Sequence, residues 1–220
     1  MTSRVRGGLV AAAIALPVGA FLGVVVAPVE AFQGDPYRIL YVHVPSVVTA
    51  YVAFAVACVA SILYLWRRDT RYDRAALASA ELGEVFLTMV LITGPIWGKP
   101  VWGAWWTWDA RLTTALILWF IFGGYLMIRG WAGARGARAA AVIAIIGVLD
   151  IPLIHWSAVL LRTLHPRPTV FRAAGPDLPS SFLYILLFNI GAFLLTYLVL
   201  WSVRVRQESQ RARLAELEMV

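Results

Sequence analysis

WGKPVWGAWWTWDARLT, residues 97–113, is the stretch on which the fold turns. Five tryptophans, Trp97, Trp102, Trp105, Trp106 and Trp108, fall within twelve residues, and Asp109 and Arg111 close it. One apolar segment runs into it and ends at Trp97; another leaves it at Leu112. It therefore joins two membrane helices at the depth of the lipid headgroups, where an indole finds both an apolar and a wet neighbour. Continued as a helix, Trp102, Trp105, Trp106 and Asp109 fall at i, i+3, i+4 and i+7, which is one face. That face is a flat, rigid aromatic platform for a large planar guest. Tryptophans at an interface are ordinarily belt anchors. Five so close, joined to an acid and a base, exceed what anchoring needs.

The rest of the chain fits a membrane setting. Of 220 residues, 61% are hydrophobic and 14% charged, a balance that excludes an ordinary soluble domain. The apolar segments run over about 7–29, 43–66, 77–97, 112–128, 139–161 and 181–203, each near the ~20 residues a helix needs to cross the hydrocarbon. Alternating β-barrel patterning is absent, so a six-helix bundle in one membrane domain, residues 1–220, is expected. The first segment follows Arg4 and Arg6 and precedes Val29-Glu30-Ala31, which faintly resembles a cleavage site. Its length favours a retained helix over a signal peptide. Cys58 is the single cysteine and supports neither a disulfide nor a thiolate cluster.

Basic residues set the orientation. The net charge of +7 speaks of lipid and orientation, not of nucleic acid. With the N-terminus inside, the inner segments hold Arg4, Arg6, Arg67, Arg68, Arg71, Arg74, Arg129, Arg135, Arg138, Arg204, Arg206, Arg211 and Arg213. The outer ones hold the smaller set Arg38, Lys99, Arg111, Arg162, Arg167 and Arg172. The positive-inside rule thus expects both termini inside and the tryptophan-rich stretch outside, periplasmic in a bacterium. The tail after Val203 reads as a short charged amphipathic helix at the inner surface. Pro166, Pro168, Pro176 and Pro179 make the last outer loop stiff and extended.

The chain has three histidines. His43 opens the second span and His165 follows the fifth, so both lie at the outer edge with the tryptophans. His155 is deeper, about ten residues before His165, at ~1.5 Å of rise per residue. Two imidazoles approaching one aromatic platform from different helices suit axial ligation of a haem iron. Arginines would hold the propionates, and Arg38 and Arg111 lie on the required side. A lone interfacial histidine is as often a structural hydrogen-bonder. His155 reads as structural, weakly paired with Asp150. Asp150 itself is costly in a span and faces the bundle or marks a proton or ion path. Glu81 and Glu84 start the third span and read as facing water. Asp109 caps a helix or pairs with Arg111.

These motifs carry a family resemblance. WGKPVWGAWWTWDARLT resembles the "WWD" signature of haem-handling proteins in cytochrome c biogenesis. YRILYVHVP at Tyr37–Pro45 and TLHPRPT at Thr163–Thr169 are similar to the haem exporter protein C (CcmC) family of system I cytochrome c maturation. Larger CcmF-type and CcsA-type relatives share only the tryptophan motif. The resemblance implies a protein that binds haem b at the outer face of the bacterial inner membrane and delivers it to the haem chaperone CcmE. It implies CcmA, CcmB and CcmD as partners. It places the iron ligands on His43 and His165 and the platform on Trp102, Trp105, Trp106, Trp108 and Asp109, with Arg111 and Arg38 on the propionates. The chain departs from the family pattern at Leu160-Leu161-Arg162, where an aromatic pair and asparagine are usual, and at Pro166, where glutamine is common.

No Gly-rich phosphate loop followed by Lys-Ser or Lys-Thr occurs in the chain, so a non-enzymatic holding and transfer role is expected, with energy from a partner. Two other classes stay open. A membrane redox enzyme using haem or quinone would run protons through Asp150 and His155. A small-solute permease would line its pore with Asp150.

Overall fold

A computed structural model describes residues 3–161, 163–165 and 175–218. Arg162, Pro166, Arg167, Pro168 and Arg172 lie outside the described residues. The described chain is helical, with no strand: α1 Ser3–Phe21, α2 Leu40–Arg67, α3 Thr70–Trp102, α4 Ala110–Ala132, α5 Ala137–Val148, α6 Asp150–Leu160 and α7 Ser180–Leu217. Five helical stretches are long and apolar enough to cross a membrane, the residues from Ala110 to Ser157 forming one of them.

That 48-residue stretch is folded back on itself. A short 3-10 turn, Gly133–Gly136, separates α4 from α5, and Gly133 takes a φ of 53°. Side chains then meet in antiparallel order. Gly136 faces Ile128, and Gly147 faces Ile121 and Phe122. α5 and α6 are nearly continuous, interrupted at Leu149.

Contacts between other helices also run in opposite senses. Ser79 Oγ donates to the Ala53 carbonyl, Gly83 packs on Phe54, and His43 meets Thr93, so α2 and α3 form an antiparallel hairpin. Small residues allow the approach. Ala50, Ala53, Ala57 and Ala80 are buried, and a Cβ at Gly83 would stand 2.6 Å from Phe54. The Phe54 ring stacks on Phe122 of α4 with centroids 3.8 Å apart. α7 runs back along α3 through Tyr197 to Ser79 and Trp201 to the Ala75 carbonyl. α1 is largely exposed and leans on α7, where buried Asn189 donates to the Gly19 carbonyl.

α3 and α7 overrun the apolar segments that announce them, whereas α1 and the turn after it stop at Val26, short of residue 29. α3 begins at Thr70, with the Asp69 carboxylate accepting from the Arg71 N–H as an N-cap. Arg71 holds that exposed carboxylate below its usual pKa. Glu84 is therefore mid-helix and buried, facing Gly123, and not at a wet start. The charged tail is no separate helix either. α7 continues to Leu217, because nothing between Val203 and Leu217 breaks it and Arg204 pairs with Glu208 one turn on.

All these pairings put one set of helix ends together. The ends of α1 and α3, the starts of α2, α4 and α7, and the end of α6 share the pole that carries the tryptophan-rich stretch. The other pole is tied by ion pairs. Arg129 meets Asp73 at 2.9 Å with both side chains about nine-tenths buried, and Arg204 meets Glu81 and Glu208.

Candidate functional site

Local chemistry first ends α3 and then starts α4. Gly103, with φ 76°, takes the left-handed cap, its N–H bonding to the Lys99 carbonyl while Lys99 Nζ donates to the Gly103 carbonyl. Asp109 is the N-cap of α4. Its Oδ1 accepts from the N–H groups of Arg111 and Leu112 at 3.0 Å, and Thr107 Oγ1 donates to Oδ2 at 3.3 Å. Residues 103–109 between these caps are not helical. The one-face helical platform is thus corrected. Trp102 closes α3, whereas Trp105, Trp106 and Trp108 come from a loop. A glycine cap and an aspartate cap outweigh an aromatic periodicity of less than two turns.

The loop roofs a cavity. Its volume is about 210 Å³, and it opens to the outside. His43, Trp97, Trp102, Trp105, Trp106, Arg111 and His165 all line it. His43 enters from the first turn of α2, is buried, and meets Trp97 edge to face with ring centroids 5.8 Å apart. His165 enters from the segment beyond α6, its ring centroid 6.1 Å from that of Trp102. His165 and Arg111 both lie close enough to His43 to act on it electrostatically. Tyr37 packs on Trp97, and Gln33 accepts from Trp97 Nε1 at 2.8 Å, which fixes that indole.

Other expected residues lie elsewhere. Trp108 is 76% exposed and packs on Trp106 without lining the cavity. Asp109 does not line it either, since its carboxylate is occupied in capping. Arg38 is also off the cavity. Its guanidinium bonds Asp35 and the carbonyls of Gly23 and Ala27, where the helical turns after α1 run out of N–H partners. His155 is exposed, and among the described residues no hydrogen bond or ion pair joins it to Asp150. Asp150 is buried with Oδ2 unpartnered.

The donor set suits a porphyrin. Arg111 Nη1 and Trp106 Nε1 are both buried on the cavity wall with no hydrogen-bond partner. Leaving such donors unmet costs about 1–3 kcal/mol each unless a guest accepts from them. Propionate carboxylates are acceptors of that kind. The remaining wall is apolar, including Val47, Leu87, Val90, Leu112 and Ile154. The enclosed part is smaller than the ~300–1,000 Å³ common for ligand pockets, so a large flat guest would lie partly in the open mouth.

Comparison with known proteins is consistent across the chain. The family model described as heme exporter protein C matches residues 2–220. Heme exporter protein C of Bradyrhizobium diazoefficiens is 36% identical over 100% of this chain and 84% of that protein. Its counterpart in Escherichia coli is 36% identical over 94% of this chain and 86% of its own length. A ccmC-like mitochondrial protein of cytochrome c biosynthesis from Marchantia polymorpha is 33% identical over 85% of this chain and 80% of its own.

Proposed function

The chain belongs to the heme exporter protein C family, and on that premise we propose that it is a multi-pass membrane protein that holds haem b in this cavity during cytochrome c maturation and passes it on. One observation supports the reading above all. Two imidazoles from separate parts of the chain, four indoles and an unpartnered arginine line one cavity at one pole of the bundle.

His43 and His165 would hold the haem iron, and the bound haem would supply there a metal centre that imidazole nitrogens can ligate. Trp97, Trp102, Trp105 and Trp106 cover the ring and exclude water. Arg111 and the Trp106 N–H hold propionate oxygens. Exposed Trp105 lines the cavity and exposed Trp108 packs on Trp106 beside it, and on that side the haem edge would be offered to the chaperone CcmE. Counting the fold-back at Gly133 as two crossings, the proposal has the chain cross the bilayer six times, with both termini inside and the cavity facing the periplasm. The basic residues of the opposite pole support that orientation. The chain hydrolyses no ATP, and CcmA, CcmB and CcmD complete the assembly that releases the loaded chaperone.

The test is an optical spectrum of detergent-purified protein, made with and without co-expressed CcmE. Low-spin haem bands are expected without the chaperone, and they fall when it is present. A colourless protein that stays colourless on haem titration sinks the reading.

A further inference from the structure

His43 Nδ1 lies 2.9 Å from Thr93 Oγ1, on the neighbouring helix α3. The same hydroxyl oxygen lies 2.7 Å from the Met89 carbonyl oxygen, one turn back. Two oxygens that close need a hydrogen between them, since facing lone pairs would repel. Threonine has one hydroxyl hydrogen, and it is therefore on the Met89 side. The oxygen offers His43 only a lone pair, so the imidazole must be the donor. That fixes a proton on Nδ1, and in the neutral ring it leaves the Nε2 lone pair free.

The same stretch of α3 shapes the space around the ring. A Cβ at Gly94 would make an ordinary 3.4 Å contact with His43 Cε1, the atom between the two ring nitrogens, and glycine leaves that edge clear of anything longer. Trp97, four residues beyond Thr93, meets the ring at 76°. One helix thus supplies the acceptor, the gap and the wall.

We propose that Thr93 is a positioning residue: it sets the tautomer and ring orientation of His43 so that Nε2 is presented to the haem iron. This rests on the reading of His43 as an iron ligand. Hydrogen bonds of this kind to a ligating histidine typically alter metal affinity by about 10–100-fold when removed.

Two measurements separate the inference from that reading. In haem-free protein with ¹⁵N-labelled histidine, His43 should show a protonated Nδ1 and an unprotonated Nε2. In Thr93→Val this bias should disappear, and haem affinity should fall about 10–100-fold; Thr93→Ser should restore both. A wild-type His43 protonated on Nε2 overturns the inference, and needs no variant to fold. So does a Thr93→Val protein with unchanged tautomer and affinity. If His43→Ala keeps the wild-type haem bands while the tautomer result stands, the ligand reading fails, not the Thr93–His43 bond.

Discussion

The two poles of the bundle set their arginines in different surroundings. At one, Asp73 and Glu81 on α3 hold Arg129 and Arg204, and Glu208 adds a second partner to Arg204. At the other, Arg111 has no ion pair among the described residues, and the nearest carboxylate, Asp109, is spent on the backbone of α4. The tied pole closes around side chains already present. Buried donors without a partner occur at both poles, Arg74 Nε and Arg129 Nε at the tied one, but at the tryptophan-rich pole Trp106 Nε1 and Arg111 Nη1 lie on a cavity wall among rings from a loop. On the proposed reading, stability and binding are separated along the helix axes: the tied pole fixes the helices, and the open pole offers its donors to a guest.

The contrast can be broken at either end. The largest effect is expected at the open pole, where His43→Ala or His165→Ala should each abolish the low-spin haem bands and leave the melting temperature of haem-free protein little changed. Retention of wild-type bands by both would erase the distinction. At the tied pole, Arg129→Met leaves Asp73 buried without its partner and should cost about 3 kcal/mol of stability. Residual folded protein should bind haem normally, as thermal melts and haem titration would reveal. Arg111→Met should lower haem affinity by about tenfold or more, the worth of one or two charge-assisted bonds. An Arg111→Met variant that is more stable without haem and binds weakly with it would sharpen the comparison most.

Smaller effects come from the caps. Gly103→Ala forces a side chain into the left-handed region at φ 76° and should cost about 1 kcal/mol, with a matching loss of haem affinity as the loop shifts. Arg38→Gln, off the cavity, should change haem affinity by no more than about twofold. A fall as large as that of Arg111→Met would bring Arg38 back to the propionates.

Much of this was legible in the residues. Apolar runs marked the helices, though five stretches long and apolar enough to span stand where six were expected, and the tryptophan-rich stretch marked the pole where His43 and His165 line one cavity. Helix limits were less legible, because apolar composition ends at the membrane surface while hydrogen bonding does not. α3 starts at Thr70 and α7 ends at Leu217, in charged sequence sustained by caps and by Arg204–Glu208. Glu84 was misread for that reason. Arg38 lay on the correct side for the cavity, yet sidedness does not say where a long side chain is spent. Asp109 could be foreseen as a cap or as a partner of Arg111, and the backbone amides of Arg111 and Leu112 claimed it. Thr93 carried no signal in one dimension. It lies fifty residues from His43, and only the antiparallel pairing of α2 and α3 brings it there.

Low-temperature electron paramagnetic resonance of the ferric haem complex tests the central claim most directly. The wild type and His155→Ala should give the low-spin signal of an iron held by two imidazoles. His43→Ala and His165→Ala should each convert it to a high-spin signal. A low-spin signal that survives both single substitutions, or one that is lost in His155→Ala alone, would contradict the account.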